Sequence, residues 1–240
     1  MQLFILILSG PACTKVLEEC GLLAGHIGSI GRLPFMHSMS VAIFGIELLI
    51  TRCGYTGEDG FEISIPCAEA LRFAEELGRS HRMKLAGLAA RDILRLEAGL
   101  CLYGADIDEN TSPVEASLKW TISKSRLLSD TRPFNGRESI LRQIRDGVHK
   151  RRVGFTSLEG PPPRSGTMVL NSVGDQVATI TSGGYSPTLE RNIAMGYKIL
   201  KNNKNEMHQN SSHLSALIRN KKHALQETKL PFITPRYCKL

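Results

Sequence analysis

Three stretches of the chain carry residue types that could do chemistry. GYTGEDGFEIS, residues 54–64, places Tyr55, Glu58, Asp59 and Glu62 around three glycines, so a tight turn would hold an aromatic ring and several carboxylates beside a strand. LAGLAARDILRLEAGL sets Arg91 and Arg95 one helical turn apart and leads through Asp106, Asp108, Glu109 and Glu115 to Trp120, the only tryptophan. TSGGYSPTLERNIAMGY, residues 181–197, is a glycine-rich turn between short strands. A carboxylate accepts two neighbouring N–H donors side by side, a guanidinium grips anions, and an aromatic ring offers a flat apolar surface. Each stretch also has a plainer reading: a hairpin with solvated acids, a solvated helix face, an ordinary β-turn. Gly183 and Gly184 lack the strand–turn–helix setting of a phosphate loop, which argues against nucleotide binding there. Cys13, Cys20, Cys53, Cys67, Cys101 and Cys238 form no C-x-x-C pair and no metal-finger spacing. Neither a metal site nor a disulfide framework is expected, and reduced thiols are.

These residues need elements to hold them. The apolar run in MQLFILILSG is too short for a membrane span and lacks the charged flank of a secretory signal, so it reads as a buried strand. ACTKVLEEC after Pro11 has helical spacing at Val16, Leu17 and Cys20. VAIFGIELLITR, residues 41–52, is β-branched and apolar until the glycines at 54, 57 and 60 break it. FEISIP alternates strictly, with Phe61, Ile63 and Ile65 toward a core and Glu62 and Ser64 away from it. CAEALRFAEELG is an amphipathic helix stopping at Gly78, and the next helix carries Ala89, Ile93, Leu96 and Leu100 on one stripe.

Beyond Arg126 a short helix at GRESILRQIRDG precedes KRRVGFTSLE and a series of short strands between glycine turns. The expected fold is α+β: ferredoxin-like layers of antiparallel sheet and helix, the N-terminal one incomplete, over residues 1–147, then a small Greek-key β-barrel over 148–240 with a polar insertion at 201–217. Hydrophobic residues make up 42% and charged residues 22%, which excludes collagen-like and wholly disordered classes. Thirty Lys and Arg against 23 Asp and Glu leave a net charge of +7, suited to an acidic partner or anionic ligand. No helix combines a basic stripe with base-reading residues, so nucleic acid is not an expected partner.

Taken in order, these segments resemble the aminomethyltransferase family, the T protein of the glycine cleavage system. GRLPFM, CGYTGEDGFEIS, the run from Lys84 to Trp120, KRRVG, TSGGYSPTLERNIAMGY and KLPFITPRY carry the likeness, over roughly residues 7–200 and 218–240. The resemblance implies transfer of the methylene of an aminomethyl group, borne on the lipoyl arm of the H protein, to tetrahydrofolate with release of ammonia. It implies folate as co-substrate, H protein as partner, no metal, no membrane and a mitochondrial matrix location.

The resemblance also assigns residues. Glu62 matches the family's pterin-binding glutamate, Tyr55 and Trp120 match aromatics of the folate site, and Arg91 matches a substrate-binding arginine. Arg236 and Tyr237 fall at a further ligand contact, where Cys238 replaces a common second tyrosine. The family's catalytic aspartate lies upstream of the segment matching LFILILSGP. No catalytic residue is therefore assigned, and Asp59, Asp92, Asp106 and Asp108 belong to other motifs. The chain reads as an N-terminally incomplete aminomethyltransferase. Two other readings stand beside it: a noncatalytic folate- or H-protein-binding fragment, and the folate domain of a dimethylglycine or sarcosine dehydrogenase-like relative.

Overall fold

The computed structural model describes residues 2–43, 45–129, 131, 133–200 and 213–238. The chain forms two compact units: one runs to Ala98 and resumes at Ile233, and the other spans Gly99–Phe232.

The first unit is an α+β layer. In chain order it contains β1 (Leu3–Ser9), α1 (Cys13–Glu19), α2 (Ile27–Gly31), β2 (Ser38–Ile43), β3 (Ile46–Thr51), β4 (Gly60–Pro66), α3 (Cys67–Gly78) and α4 (Leu88–Glu97). The strands form one antiparallel sheet in the order β1-β4-β3-β2. Alternation in FEISIP does what period-two patterning demands: Phe61, Ile63 and Ile65 are buried against α1 and α3, with Val16, Leu17, Phe73 and Leu77 facing them. Glu62 and Ser64 point to the opposite, open face of the sheet, since neighbouring side chains alternate.

Several expectations for this unit are corrected. β1 is a strand, but an edge strand that pairs with β4, and Leu3, Phe4, Ile5 and Ile7 are 48–55% exposed rather than buried. VAIFGIELLITR is not one strand but the hairpin of β2 and β3, with Ile43 opposite Ile46 and Gly45 at φ 76°. Only a glycine reverses the chain so sharply there without side-chain strain. Along α4 burial follows position rather than face: Ala89 is exposed, Ile93 half-buried and Leu96 buried, as are Arg95, Glu97 and Ala98 beside it.

The second unit holds α5 (Lys124–Leu128), α6 (Arg137–Asp146) and strands β5 (Lys150–Ser157), β6 (Met168–Leu170), β7 (Gln176–Ser186), β8 (Arg191–Ile199), β9 (Leu214–Ile218) and β10 (Lys221–Thr228). The six strands close into an antiparallel barrel in the order β10-β5-β8-β7-β6-β9. β6, β7 and β8 are consecutive neighbours while β5 lies beside β8, which is the Greek-key arrangement. Phe155, Val169, Ala178, Ile180, Ala194 and Ala216 fill its interior.

The compact units divide at Ala98/Gly99, whereas the sequence reading draws its boundary at 147/148. Arg152 supplies the physical reason. Its buried guanidinium donates to the Ala116 and Gly99 carbonyls, 2.8 Å each, so residues 99–116 are held to the barrel. Asp106 adds a second hold, accepting from the Leu102 N–H at 2.9 Å and the Thr181 hydroxyl at 2.5 Å, while Tyr197 donates its hydroxyl to the Asp106 carbonyl at 2.8 Å. Of the expected polar insertion, residues 201–212 lie outside the described residues, and 214–217 belong to β9.

Phe61 is fully buried between sheet and helices. Phe61→Ala should cost about 3–5 kcal/mol of the first unit's stability, read by far-UV circular dichroism as a lower urea midpoint with an unchanged slope.

Candidate functional site

The candidate site gathers around the turn that joins β3 to β4. Arg52, just past β3, is buried with its side chain only 4% exposed, and it closes this turn on itself. Its Nε and Nη2 donate to the two Asp59 carboxylate oxygens at 3.0 and 2.6 Å. Nη1 donates to the Gly31 and Leu33 carbonyls at 3.1 and 2.9 Å, and Nη2 also reaches the Thr14 hydroxyl at 3.4 Å. All five guanidinium N–H groups therefore have acceptors. The carboxylate at Asp59 is the main reason that the Arg52 guanidinium is held above its ordinary pKa.

The crest of the turn is tied down on both sides. The Ser9 and Thr56 hydroxyls lie 2.6 Å apart, and the Gly10 N–H donates to the Asp59 carbonyl at 2.8 Å. At Gly57, φ is 79° and a Cβ would come within 2.8 Å of the Ala98 Cβ, so glycine is required both for conformation and for space.

Tyr55 and Glu62 stand at the two ends of this turn. The Arg91 guanidinium, on the exposed first half of α4, lies over the Tyr55 ring at 5.8 Å from its centroid. Among the described residues Arg91 forms no ion pair with Glu62. Glu62 shares a cross-strand row with Thr51 on one side and Ile7 on the other, on the open face. Cys53, two residues beyond the end of β3, is close enough to the Glu62 carboxylate to feel its charge. Burial first, and then this carboxylate, push the Cys53 thiol up to about 11.

After the barrel, the chain returns to this unit. The Ile233 N–H donates to the Glu97 carbonyl at 3.1 Å and the Arg236 N–H to the Gly57 carbonyl at 2.7 Å. Arg236 and Glu58 form an isolated parallel bridge, and the exposed Arg236 guanidinium approaches the Glu58 carboxylate at 3.9 Å. The Tyr237 ring stacks on Phe35 with centroids 4.3 Å apart.

Tyr55, Glu62, Arg91, Arg236 and Tyr237 thus all belong to the first unit, around or beside one turn. Trp120 belongs to the second unit, on the short helical turn Lys119–Thr121, and its 77% exposure makes it a surface ring rather than a core anchor. Sequence reasoning did not single out Arg52 or Cys53. An arginine ending an apolar strand, seven residues before an aspartate, was the available signal for Arg52. For Cys53 the signal was its place just beyond that strand.

Four of the seven aspartates, Asp59, Asp92, Asp106 and Asp108, have structural work. Asp59 holds Arg52, Asp92 pairs with the buried Arg95 at 2.7 Å, and Asp106 holds the 102–106 turn to the barrel. Asp108 accepts from the Thr111 hydroxyl at 2.6 Å and the Asn110 N–H at 3.0 Å, which hold its carboxyl below the usual range. Among the described residues no group of three or more His, Cys, Asp or Glu is arranged to hold a metal, and no helix is long and apolar enough to cross a membrane.

Two family models match the chain, and the break between them falls at residues 127–149, nearer the boundary read from the sequence than the division at Ala98/Gly99. The family model described as the GCVT N-terminal domain matches residues 1–126, and that of the glycine cleavage T-protein C-terminal barrel domain matches residues 150–233. The chain belongs to the glycine cleavage T-protein family. It is 46% identical over 234 residues to the mitochondrial aminomethyltransferase of Canis lupus familiaris and 44% identical over 234 residues to that of Homo sapiens. In both cases 97% of this chain and 55% of the relative are covered, so the chain spans about half the length of the curated relatives it matches. A crystal structure of the glycine cleavage system aminomethyltransferase T from Bartonella henselae superposes with a TM-score of 0.86 at 36% identity, covering 100% of this chain and 62% of that one.

Two measurements test the site's geometry. Asp59→Asn should destabilise the first unit by about 3 kcal/mol or more, because it leaves a buried guanidinium without its countercharge. With a thiol pKa of about 11, Cys53 is roughly one part in a thousand thiolate at pH 8, so iodoacetamide should label the exposed Cys67 well ahead of it. Labelling of Cys53 should accelerate as pH rises toward that value, and Glu62→Gln should accelerate it at fixed pH by removing the carboxylate that holds the proton. Peptide mass spectrometry of the alkylated protein reads both.

Proposed function

We propose that this chain carries the folate-binding face of a glycine cleavage aminomethyltransferase. The reaction passes the methylene of an aminomethyl group on the lipoyl arm of the H protein to tetrahydrofolate, releasing ammonia and leaving the dihydrolipoyl arm. Tetrahydrofolate is a co-substrate, the H protein is the partner, the mitochondrial matrix is the site of action, and the transfer uses no metal, nucleic acid or membrane.

The observation that supports this most directly is Glu62 on the open face of the sheet, its carboxylate paired with no cation among the described residues. Such a group keeps lone pairs for two adjacent N–H donors of a pterin edge. Tyr55, with Arg91 against its ring, offers a flat surface and a cationic rim beside it. Arg236 with Tyr237 forms a further ligand contact at the crest of the turn, and the resemblance alone adds Trp120, an exposed ring of the second unit. The relatives' shared name, aminomethyltransferase, favours this reading over a dehydrogenase-associated folate domain.

The engagement of Asp59, Asp92, Asp106 and Asp108 in local structure favours one secondary reading: the described part of the chain binds folate or the H protein without itself turning them over. Binding is the property to measure first. Titration with tetrahydrofolate should change Trp120 emission and raise the melting temperature, and the absence of both changes would overturn the proposal. Glu62→Gln should weaken binding roughly ten- to hundredfold, since one acceptor becomes a donor facing the pterin's donors. Affinity equal to that of the unsubstituted chain would remove Glu62 from its role. Association with an acidic H protein should weaken as sodium chloride is raised, because the net charge of +7 supplies a screened, long-range attraction.

A further inference from the structure

Residues 233–237 touch the first unit at three places that together frame the candidate site. At Ile233 the backbone holds the Glu97 carbonyl, at the end of the helix that carries Arg91. At Arg236 it holds the Gly57 carbonyl, at the crest of the turn between Tyr55 and Glu62. At Tyr237 the ring covers Phe35. Phe35 is followed by Met36, whose N–H donates to the Arg52 carbonyl at 2.7 Å, so the third contact bears on the residue that closes the turn. Gly57 is packed in the same place, with the position of its absent Cβ 2.8 Å from Ala98 and 4.0 Å from Ile233.

We propose that residues 233–237 are a positioning strap for the Cys53–Gly60 turn, so that docking of this strap and occupation of the Tyr55–Glu62 face by ligand are energetically coupled. The proposal rests on the folate-binding reading above and adds its control. Among the described residues the strap is held by the Ile233 and Arg236 amide hydrogen bonds, the Arg236–Glu58 bridge, one aromatic stack and one solvent-screened ion pair, contacts whose docking equilibrium is readily shifted. Removing the stacked ring should shift that equilibrium by roughly two- to tenfold. A ligand that needs Tyr55 and Glu62 in their docked places binds more weakly by the same factor, and by reciprocity its presence protects the strap. Phe35 and the ring of Tyr237 act here as positioning groups, through the turn.

The test uses the full chain with Phe35→Ala, Phe35→Tyr, Tyr237→Ala and the Phe35→Ala/Tyr237→Ala double variant. Amide hydrogen exchange is followed at residues 54–60 and in the barrel strands, and tetrahydrofolate affinity is read by Trp120 emission. Phe35→Ala should accelerate exchange at 54–60 by two- to tenfold, leave β5 to β8 unchanged, and raise the dissociation constant by a matching factor. Phe35→Tyr, which keeps the aromatic face, should restore both, and in exchange at 54–60 the double variant should be no worse than either single one. Tetrahydrofolate should slow exchange of the 233–238 amides in the unsubstituted chain. Unaltered exchange at 54–60 in Phe35→Ala, or losses that add in the double variant, would overturn the strap. Should the unsubstituted chain take up no tetrahydrofolate, the folate reading falls, while exchange at 54–60 still decides the strap by itself.

Discussion

The first unit depends on the buried guanidinium of Arg52. Arg52 has lost its water and recovers five acceptors: two carboxylate oxygens of Asp59, the Gly31 and Leu33 carbonyls, and the Thr14 hydroxyl. A charge so placed adds little net stability, since desolvation offsets most of the attraction, but any arrangement that breaks one partner is strongly disfavoured. What it secures is uniqueness. The end of β3, the start of α1, the segment after α2 and the far side of the β3–β4 turn must all meet at one planar group. Tyr55 and Glu62 inherit their positions from that requirement, one inside the turn and one on the strand that leaves it.

The second unit solves a similar problem with Arg152. Its guanidinium grips carbonyls of residues 99 and 116 rather than a carboxylate, and the Met195 sulfur lies 3.2 Å from Nη1. Irregular chain between elements carries polar backbone groups that burial would orphan. In both units one arginine satisfies several such carbonyls at once, which allows a long loop to lie against a sheet without secondary structure of its own. Asp106 does the complementary job for N–H and O–H donors.

Period-two alternation made FEISIP and the barrel strands legible, and helical spacing made α1, α3 and α6 legible, because burial on one side of an element leaves its period in the sequence. Where burial varies along an element or depends on a neighbour, that period is uninformative. The stripe assigned to α4 failed at Ala89 for this reason: the helix is buried at one end, not along one face. The β2–β3 hairpin was hidden because a single glycine in an apolar run is a weak turn signal beside Asn-Gly or Asp-Gly. β9 was hidden by a polar preceding segment, and the exposure of β1 cannot be read from apolar composition alone, since composition does not say which strand is at the edge. The residues of the candidate site were found through resemblance. Arg52, which positions them, showed only that it ends an apolar strand, because its partners come from three separate segments.

The contrast between Asp59 and Glu62 explains why one acid of the turn is structural and the other is suited to binding. Asp59 spends both oxygens on a guanidinium that is itself fully occupied, so neither group has capacity left for a ligand. Glu62, three residues further on, sits on the face of the sheet away from α1 and α3, and among the described residues no basic side chain pairs with it. Its neighbour Cys53 stays neutral well above physiological pH because burial and the carboxylate both disfavour the thiolate. A neutral neighbour leaves the charge of a carboxylate uncompensated, and an uncompensated carboxylate on a fixed strand attracts a flat ligand edge rich in N–H groups. The same acid paired to Arg91 would have lost that property, and Arg91 is instead held over Tyr55.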